Sequence, residues 1–174
     1  MIIKDYPEFS SIILEQRNIL HPSFKKIKSG ISEFTFAGIY LFREEYNYKV
    51  SKLKKLYIFE GEEKGKKFFL LPFGLPDFEM LNSLFKKYDY LKNASEEQIL
   101  VLKNLGYKII EDRDNFNYVY KREELATLKG RKFHKKKNLV NLFTKNYTYQ
   151  AKPLINSYLQ DALNILEQWN VEKN

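Results

Sequence analysis

Residues 46–72 constrain the fold of this chain most, because they contain three β-rich runs separated by short polar stretches. Tyr46–Val50 alternates between apolar and polar side chains, and Leu56–Phe59 and Phe68–Pro72 are denser apolar runs. The stretch Glu60–Lys66 is polar and contains two glycines, which is typical of an antiparallel hairpin loop. We therefore predict an antiparallel sheet in this part of the chain.

Helical patterns lie on both sides of the hairpin. Pro76–Tyr90 carries apolar residues at helical spacing, and Ser95 is a helix N-cap followed by two glutamates in the first turn. Near the N-terminus, Pro7–Asn18 predicts a short helix that ends at a His-Pro pair. Residues 32–43 fit either a strand or a short buried helix.

The C-terminal part of the chain alternates between strand and helix patterns. Short strands are predicted at Lys108–Glu111, Phe116–Tyr120 and Tyr147–Ala151. A helix is predicted from Glu123 to Lys145, with a break at Gly130.

The last helix has an apolar stripe that extends to Trp169. This helix either packs on the preceding sheet or connects to a further part of the protein. Strands and helices mixed in this way predict an α/β (α+β) fold, with a mixed, largely antiparallel sheet flanked by helices. The 174 residues suit one compact domain.

The residue types exclude several kinds of site. The chain has no cysteine and two histidines, His21 and His134, so disulfides, thiolate metal sites and His-rich metal sites are excluded. No apolar run approaches the ~20 residues of a membrane helix, and no glycine-rich phosphate loop is present. We expect a cytoplasmic protein with no metal, no cofactor and no integral membrane segment.

The positive charge of the chain is concentrated in one segment. The formal net charge is +8, and residues 121–145 contain nine basic and two acidic side chains, an excess of seven. A localised field of this sign attracts phosphates, nucleic acid or an anionic lipid surface.

Helical geometry divides this segment into two faces. Phe133, Leu139, Val140 and Phe143 fall on one side, which we expect to be buried. If the helix begins near Arg131, its first backbone N–H groups add to an anion site. We predict an anion-binding face formed by Lys129, Gly130, Arg131, His134, Lys135 and Asn138. The alternative is a solvated basic face without a ligand.

No catalytic residue is assigned. His134 has no serine or cysteine nucleophile near it in sequence, and the acidic pair in Asp112–Asp114 lacks the spacing of metal ligands. Phe116, Tyr118 and Tyr120 have the chemistry to stack on bases, but a half-buried strand explains their alternation and is favoured.

Several blocks resemble one bacterial family. Asp112–Tyr120 and Leu125–Asn138, with the string LKGRKFHKKKN, are the most specific; Ser32–Phe36, Leu71–Gly74 and the helix that ends at Trp169 follow the same order along the chain. Together they resemble the family grouped with the phosphatidylglycerol lysyltransferase C-terminal domain.

This resemblance implies two tandem acetyltransferase-like (GNAT-like, acyl-CoA N-acyltransferase-like) halves. Related enzymes move an aminoacyl group from charged tRNA to a lipid or peptidoglycan acceptor. The resemblance implies that residues 1–150 are the N-terminal GNAT-like half-domain. Residues 151–174 are then an amphipathic helix that connects to a second half, which we expect to be absent from this chain.

Two functional hypotheses follow. The first is the N-terminal half of an aminoacyl- or acyltransferase, whose basic helix binds charged tRNA or another phosphate-bearing ligand. In this hypothesis the second half, or another chain, packs against the helix that ends at Trp169 and supplies the chemistry. The alternative is a non-catalytic basic module that binds RNA or an acidic surface.

Overall fold

The computed structural model describes residues 3–173, and it has the predicted α+β architecture. Within these residues, five strands form one mixed sheet in the order β1-β2-β3-β4-β5. The first four strands pair antiparallel, and β5 is parallel to β4. The strands are β1 Ser10–Ser11, β2 Lys49–Leu53, β3 Leu56–Glu63, β4 Lys66–Leu70 and β5 Tyr90–Leu91.

The described residues also form seven α-helices. Their bounds are α1 Arg17–Phe24, α2 Phe36–Leu41, α3 Phe78–Lys87, α4 Glu96–Asn104, α5 Arg122–Thr127, α6 His134–Asn146 and α7 Leu159–Lys173. Short 3₁₀ turns precede α1, α6 and α7. None of the helices in residues 3–173 has the length and apolarity that a bilayer span requires.

The chain divides into two compact units, an N-terminal unit of residues 1–118 and a C-terminal unit of residues 119–174. The predicted division into a half-domain at 1–150 and a connector at 151–174 concerns a second half, and it stays a prediction; Asn174 lies outside the described residues.

The predicted hairpin is confirmed in the N-terminal unit. Strand β3 pairs with β4 from Phe59 opposite Leu70 to Glu63 opposite Lys66. The two strands extend into the stretch that we predicted as a loop, so the turn itself is only Lys64 and Gly65. Both turn residues have positive φ, as two-residue hairpin turns require.

Each face of the sheet packs on a pair of helices. Side chains of α1 and α2 join one face in a cluster rich in aromatic rings, whose buried members are Ile3, Ile12, Leu20, Phe24, Phe34, Phe36, Ile39, Tyr48, Val50, Phe59, Phe68 and Leu70. Side chains of α3 and α4 join the other face in a second cluster of Leu53, Ile58, Phe69, Leu71, Leu81, Leu84, Tyr88 and Leu102. Alternation along each strand sends neighbouring residues to opposite clusters.

Local capping signals begin helices α2 and α4. Ser95 accepts a hydrogen bond from the backbone N–H of Gln98, whose side chain accepts one from the Ser95 N–H, and this capping box begins α4. Thr35 accepts from the N–H of Gly38 and begins α2, so residues 32–43 contain a helix rather than a strand.

The predicted helix at Pro7–Asn18 is wrong over residues 7–13; residues 14–18 are helical, as a 3₁₀ turn at Leu14–Gln16 followed by the start of α1. Ser10 and Ser11 form β1 and pair with β2, and the helix begins only at Arg17. That helix includes Pro22, which we expected to lie at its end. The apolar spacing that predicted a helix instead places Ile12 in the core cluster next to a short edge strand.

The three predicted strands in the C-terminal part are also wrong. Residues 108–111, 116–120 and 147–151 have strand-like sequences, but none belongs to a ladder in the described residues. A strand needs a neighbour for its backbone hydrogen bonds, and the described part of the chain offers none to these segments.

Candidate anion-binding surface

The basic segment begins at a break in the C-terminal unit. Helix α5 ends at Thr127, Leu128 is left-handed with φ 47°, and Gly130 has φ 101° and ψ 163°. The N–H of Phe133 donates to the Gly130 carbonyl at 3.1 Å, closing a 3₁₀ turn that starts at Arg131. The predicted break at Gly130 is therefore confirmed, and the first N–H groups after it have no acceptor within the turn.

All six predicted site residues lie in this one segment, and all are exposed. We call them the basic surface: Lys129, Gly130, Arg131, His134, Lys135 and Asn138. Within the described residues, none of their side chains forms a hydrogen bond or an ion pair. The cationic groups of the basic surface are therefore not neutralised by carboxylates of the described chain.

The neighbouring Lys132 is different, because it is already paired. Its Nζ lies 2.7 Å from Glu124 Oε1 and 5.0 Å from the centre of the Phe133 ring. This hydrogen bond lowers the pKa of the Glu124 carboxyl. Lys132 thus helps to fix the turn to α5, and it is not part of the basic surface.

The expected burial of the apolar face of α6 is only partly correct. Phe133 is 2% exposed, but Leu139, Val140 and Phe143 are 67%, 50% and 47% exposed. The Phe143 ring packs on the rings of Tyr147 and Tyr149, with 5.2 Å between centroids in each pair. Phe133 is the single buried side chain among described residues 119–171, so the other three side chains of this face lack the burial that we expected.

The last helix shows the same exposure. Leu159, Leu166 and Trp169 on its predicted stripe are each about half exposed. About half of the surface of these three side chains is therefore accessible to solvent.

The other sequence candidates do not form sites. Asp112 accepts a hydrogen bond from the Asn115 side chain at 2.7 Å in an exposed turn. No cluster of three metal-ligating side chains occurs in residues 3–173. Tyr118 is 89% exposed, and Phe116 and Tyr120 are about half exposed, so their expected packing in a half-buried strand is wrong.

The N-terminal unit contains a cleft that the sequence did not indicate. Its volume is 620 Å³, and it lies between the end of α1, the β2–β3 turn, the segment after β4 and the start of α4. Its lining residues come from positions as distant as Ser23 and Gln98. The sequence analysis singled out Leu71–Gly74 and the Ser95 cap in this region, but neither feature indicated a cleft.

A half-buried ionic network lies at one end of the same sheet. Lys92 Nζ lies 2.7 Å from Glu63 Oε2 and faces the rings of Tyr46 and Phe68. The hydrogen bond from Lys92 lowers the pKa of Glu63. Burial, together with the charge of Glu63, raises the pKa of Tyr90 to about 12. These groups are held by one another, so we assign them to stability.

Comparison with solved structures shows the class of fold to which this chain belongs. A crystal structure described as a conserved protein of unknown function from Bacteroides thetaiotaomicron VPI-5482 has a similar fold, with a TM-score of 0.70 and 25% sequence identity. The match covers 95% of this chain and 60% of that one, so our chain spans about three fifths of its length. No curated protein matches the chain.

The family is shown by the sequence. Residues 24–174 match the family described as phosphatidylglycerol lysyltransferase, C-terminal. The chain belongs to this family, which confirms the resemblance seen in its sequence blocks. The mixed sheet with helices on both faces is consistent with the acetyltransferase-like fold that the resemblance implies.

Proposed function

We propose that this chain is the N-terminal, acetyltransferase-like part of an aminoacyl- or acyltransferase related to phosphatidylglycerol lysyltransferase. The observation that supports this function is the family match over residues 24–174. In this proposal the donor is a charged tRNA, which also makes the location cytoplasmic. The bond-forming chemistry resides in a second acetyltransferase-like half.

The basic surface has a defined part in this function. Lys129, Arg131 and Lys135 are exposed cations without carboxylate partners in the described residues. They contact backbone phosphates of the tRNA, and Arg131 is able to bind one phosphate through two parallel hydrogen bonds. Asn138 adds a directional donor one turn further along α6.

The exposed stripe of α7 is where the second half packs in this proposal. Leu159, Leu166 and Trp169 present apolar surface that is about half exposed. Contiguous apolar surface of this kind marks an interaction site.

Filter binding of lysyl-tRNA tests the part played by the basic surface. The variant Lys129→Ala, Arg131→Ala, Lys135→Ala is compared with Lys121→Ala, Arg122→Ala, Lys145→Ala. Each removes two lysines and one arginine from the C-terminal unit. We expect only the first variant to lose most of its affinity, and the salt dependence of binding to become shallower by roughly one counterion for each lost contact. Equal losses in both variants would show unspecific attraction to the charge of the whole segment.

A transfer assay separates this function from the alternative, a binding module for RNA or an acidic surface. The exposed excess of positive charge in residues 121–145 favours that alternative equally. We expect lysine to move from tRNA to an anionic phospholipid only when the second half is supplied with this chain. Binding of tRNA without transfer under both conditions would favour the module.

A further inference from the structure

The cleft of the N-terminal unit has the size of a small-molecule site. Its 620 Å³ falls within the ~300–1,000 Å³ that ligand pockets commonly enclose. Five separate parts of the chain line it, so the surrounding fold holds its shape.

Three lysines from two parts of the chain line this cleft. Lys26 and Lys28 follow α1, and Lys55 lies in the turn between β2 and β3. In the described residues, none of these three ammonium groups has an ion-pair partner, although other lysines of the same unit are paired. Two carboxylates, Glu96 and Glu97, also line the cleft. They lie in the first turn of α4, where the helix dipole favours negative charge.

The floor of the cleft is aromatic. Phe34 is buried, and Tyr57 and Phe73 are half-buried, with 6.0 Å between the last two ring centroids in an edge-to-face arrangement. Phe73 also contacts Phe24 of α1, at 4.9 Å between centroids. The rings are therefore fixed by the core, and they leave apolar surface facing the cleft on which a flat group can pack.

We infer that this cleft binds a small organic phosphate. Its phosphate faces Lys26, Lys28 and Lys55, and its apolar group packs on Tyr57 and Phe73. A phosphate is favoured over a single carboxylate because its three terminal oxygens can accept hydrogen bonds from three ammonium groups, whereas a carboxylate offers two oxygens; Glu96 and Glu97 offset part of the positive charge of the lining. This inference does not rest on the proposed function, since every residue of the cleft lies in residues 23–98, outside the basic surface.

Isothermal titration calorimetry with AMP tests this site, with inorganic phosphate and adenosine as separate titrants. We expect saturable binding of AMP at one site, and weaker binding of each fragment. The variant Lys26→Ala, Lys28→Ala, Lys55→Ala should raise the dissociation constant of AMP about tenfold or more. Phe73→Leu, which keeps an apolar side chain but removes the ring, should weaken AMP and leave inorganic phosphate unchanged.

Matched variants decide whether the cleft is responsible. Lys25→Ala, Lys66→Ala, Lys103→Ala removes the same charge from exposed lysines of the N-terminal unit outside the cleft, and we expect AMP affinity within about twofold of the parent protein. Equal loss in both triple variants, or no saturable binding of AMP by the parent, would overturn the proposal. Loss of AMP binding only in the variant of Lys129, Arg131 and Lys135 would also overturn the proposal. That result would not contradict the proposed binding of tRNA by the basic surface.

Discussion

Gly61 lies in β3, directly opposite Phe68 of β4, whose ring is buried. A Cβ atom at this position would lie 2.6 Å from Cζ of Phe68 and 3.0 Å from the carbonyl oxygen of Tyr46. Phe68 is fully buried and contacts the rings of Tyr46, Tyr48 and Tyr90, so it has little room to move. Glycine is therefore required here by close packing.

We expect Gly61→Ala to lower the free energy of unfolding by ~1–3 kcal/mol, because overpacking forces a shift in the rings around Phe68. Urea denaturation measures this loss. Glu62→Ala, at the next and exposed position of the strand, should change stability by no more than about 0.5 kcal/mol. Equal stability of the Gly61→Ala variant and the parent would mean that the Phe68 ring yields freely.

The ion pair of Glu63 and Lys92 makes stability depend on pH on the acid side. The ordinary pKa of the carboxyl is 4.5, and Lys92 lowers it in the folded protein. Stability from this pair is complete above the ordinary pKa, and it falls as the pH drops from 4.5 through the lowered value. In Glu63→Gln, we expect the free energy of unfolding to decline less steeply below that pH. Urea denaturation at several pH values measures both slopes, and an equal slope in Glu63→Gln and the parent would contradict this expectation.

At the scale of elements, the start of α6 depends on one backbone conformation. Gly130 has φ 101° and ψ 163°, which side-chain-bearing residues rarely adopt. Gly130→Ala should cost ~1–3 kcal/mol locally, and the backbone N–H groups of Phe133 and His134, which donate to Gly130 and Arg131, should exchange faster with solvent. Hydrogen exchange read by NMR measures this. Asn138→Ala, within the regular part of α6, should leave both amides unchanged; unchanged exchange in Gly130→Ala itself would show that the turn forms without this conformation.

Local signals explain which elements the sequence predicted. The Ser95 capping box and the break at Gly130 act within a few residues, so both were predicted correctly. The segment 116–120 has a strand's alternation, but a strand also requires a neighbour that the sequence pattern does not specify. The basic surface could be proposed from the sequence because its residues share one short segment, and its anion binding stays a prediction. The cleft was missed because the fold brings Lys26 and Lys55 together from distant positions.

At the scale of the molecule, the two units bury their side chains very differently. The N-terminal unit contains two clusters of buried residues, one on each face of its sheet. The C-terminal unit has three α-helices in its described residues and one buried side chain, Phe133. Helices in proteins gain most of their stability from packing an apolar face. The stability of α6 and α7 therefore depends on the contacts that their apolar faces make.

We therefore expect hydrogen exchange to separate the two units. Peptides from residues 119–171 should exchange fully before peptides from β3 lose appreciable protection, because opening a segment with few buried apolar contacts costs little free energy. Mass spectrometry of the exchanging protein measures this at low concentration, where self-association is minimal. Comparable protection in both units would contradict the exposure seen for Leu166 and Trp169. If the C-terminal unit were protected in this way, the variant Leu166→Glu would test whether a second copy of the chain covers α7. Loss of protection in this variant, together with a change from dimer to monomer in sedimentation, would show that it does.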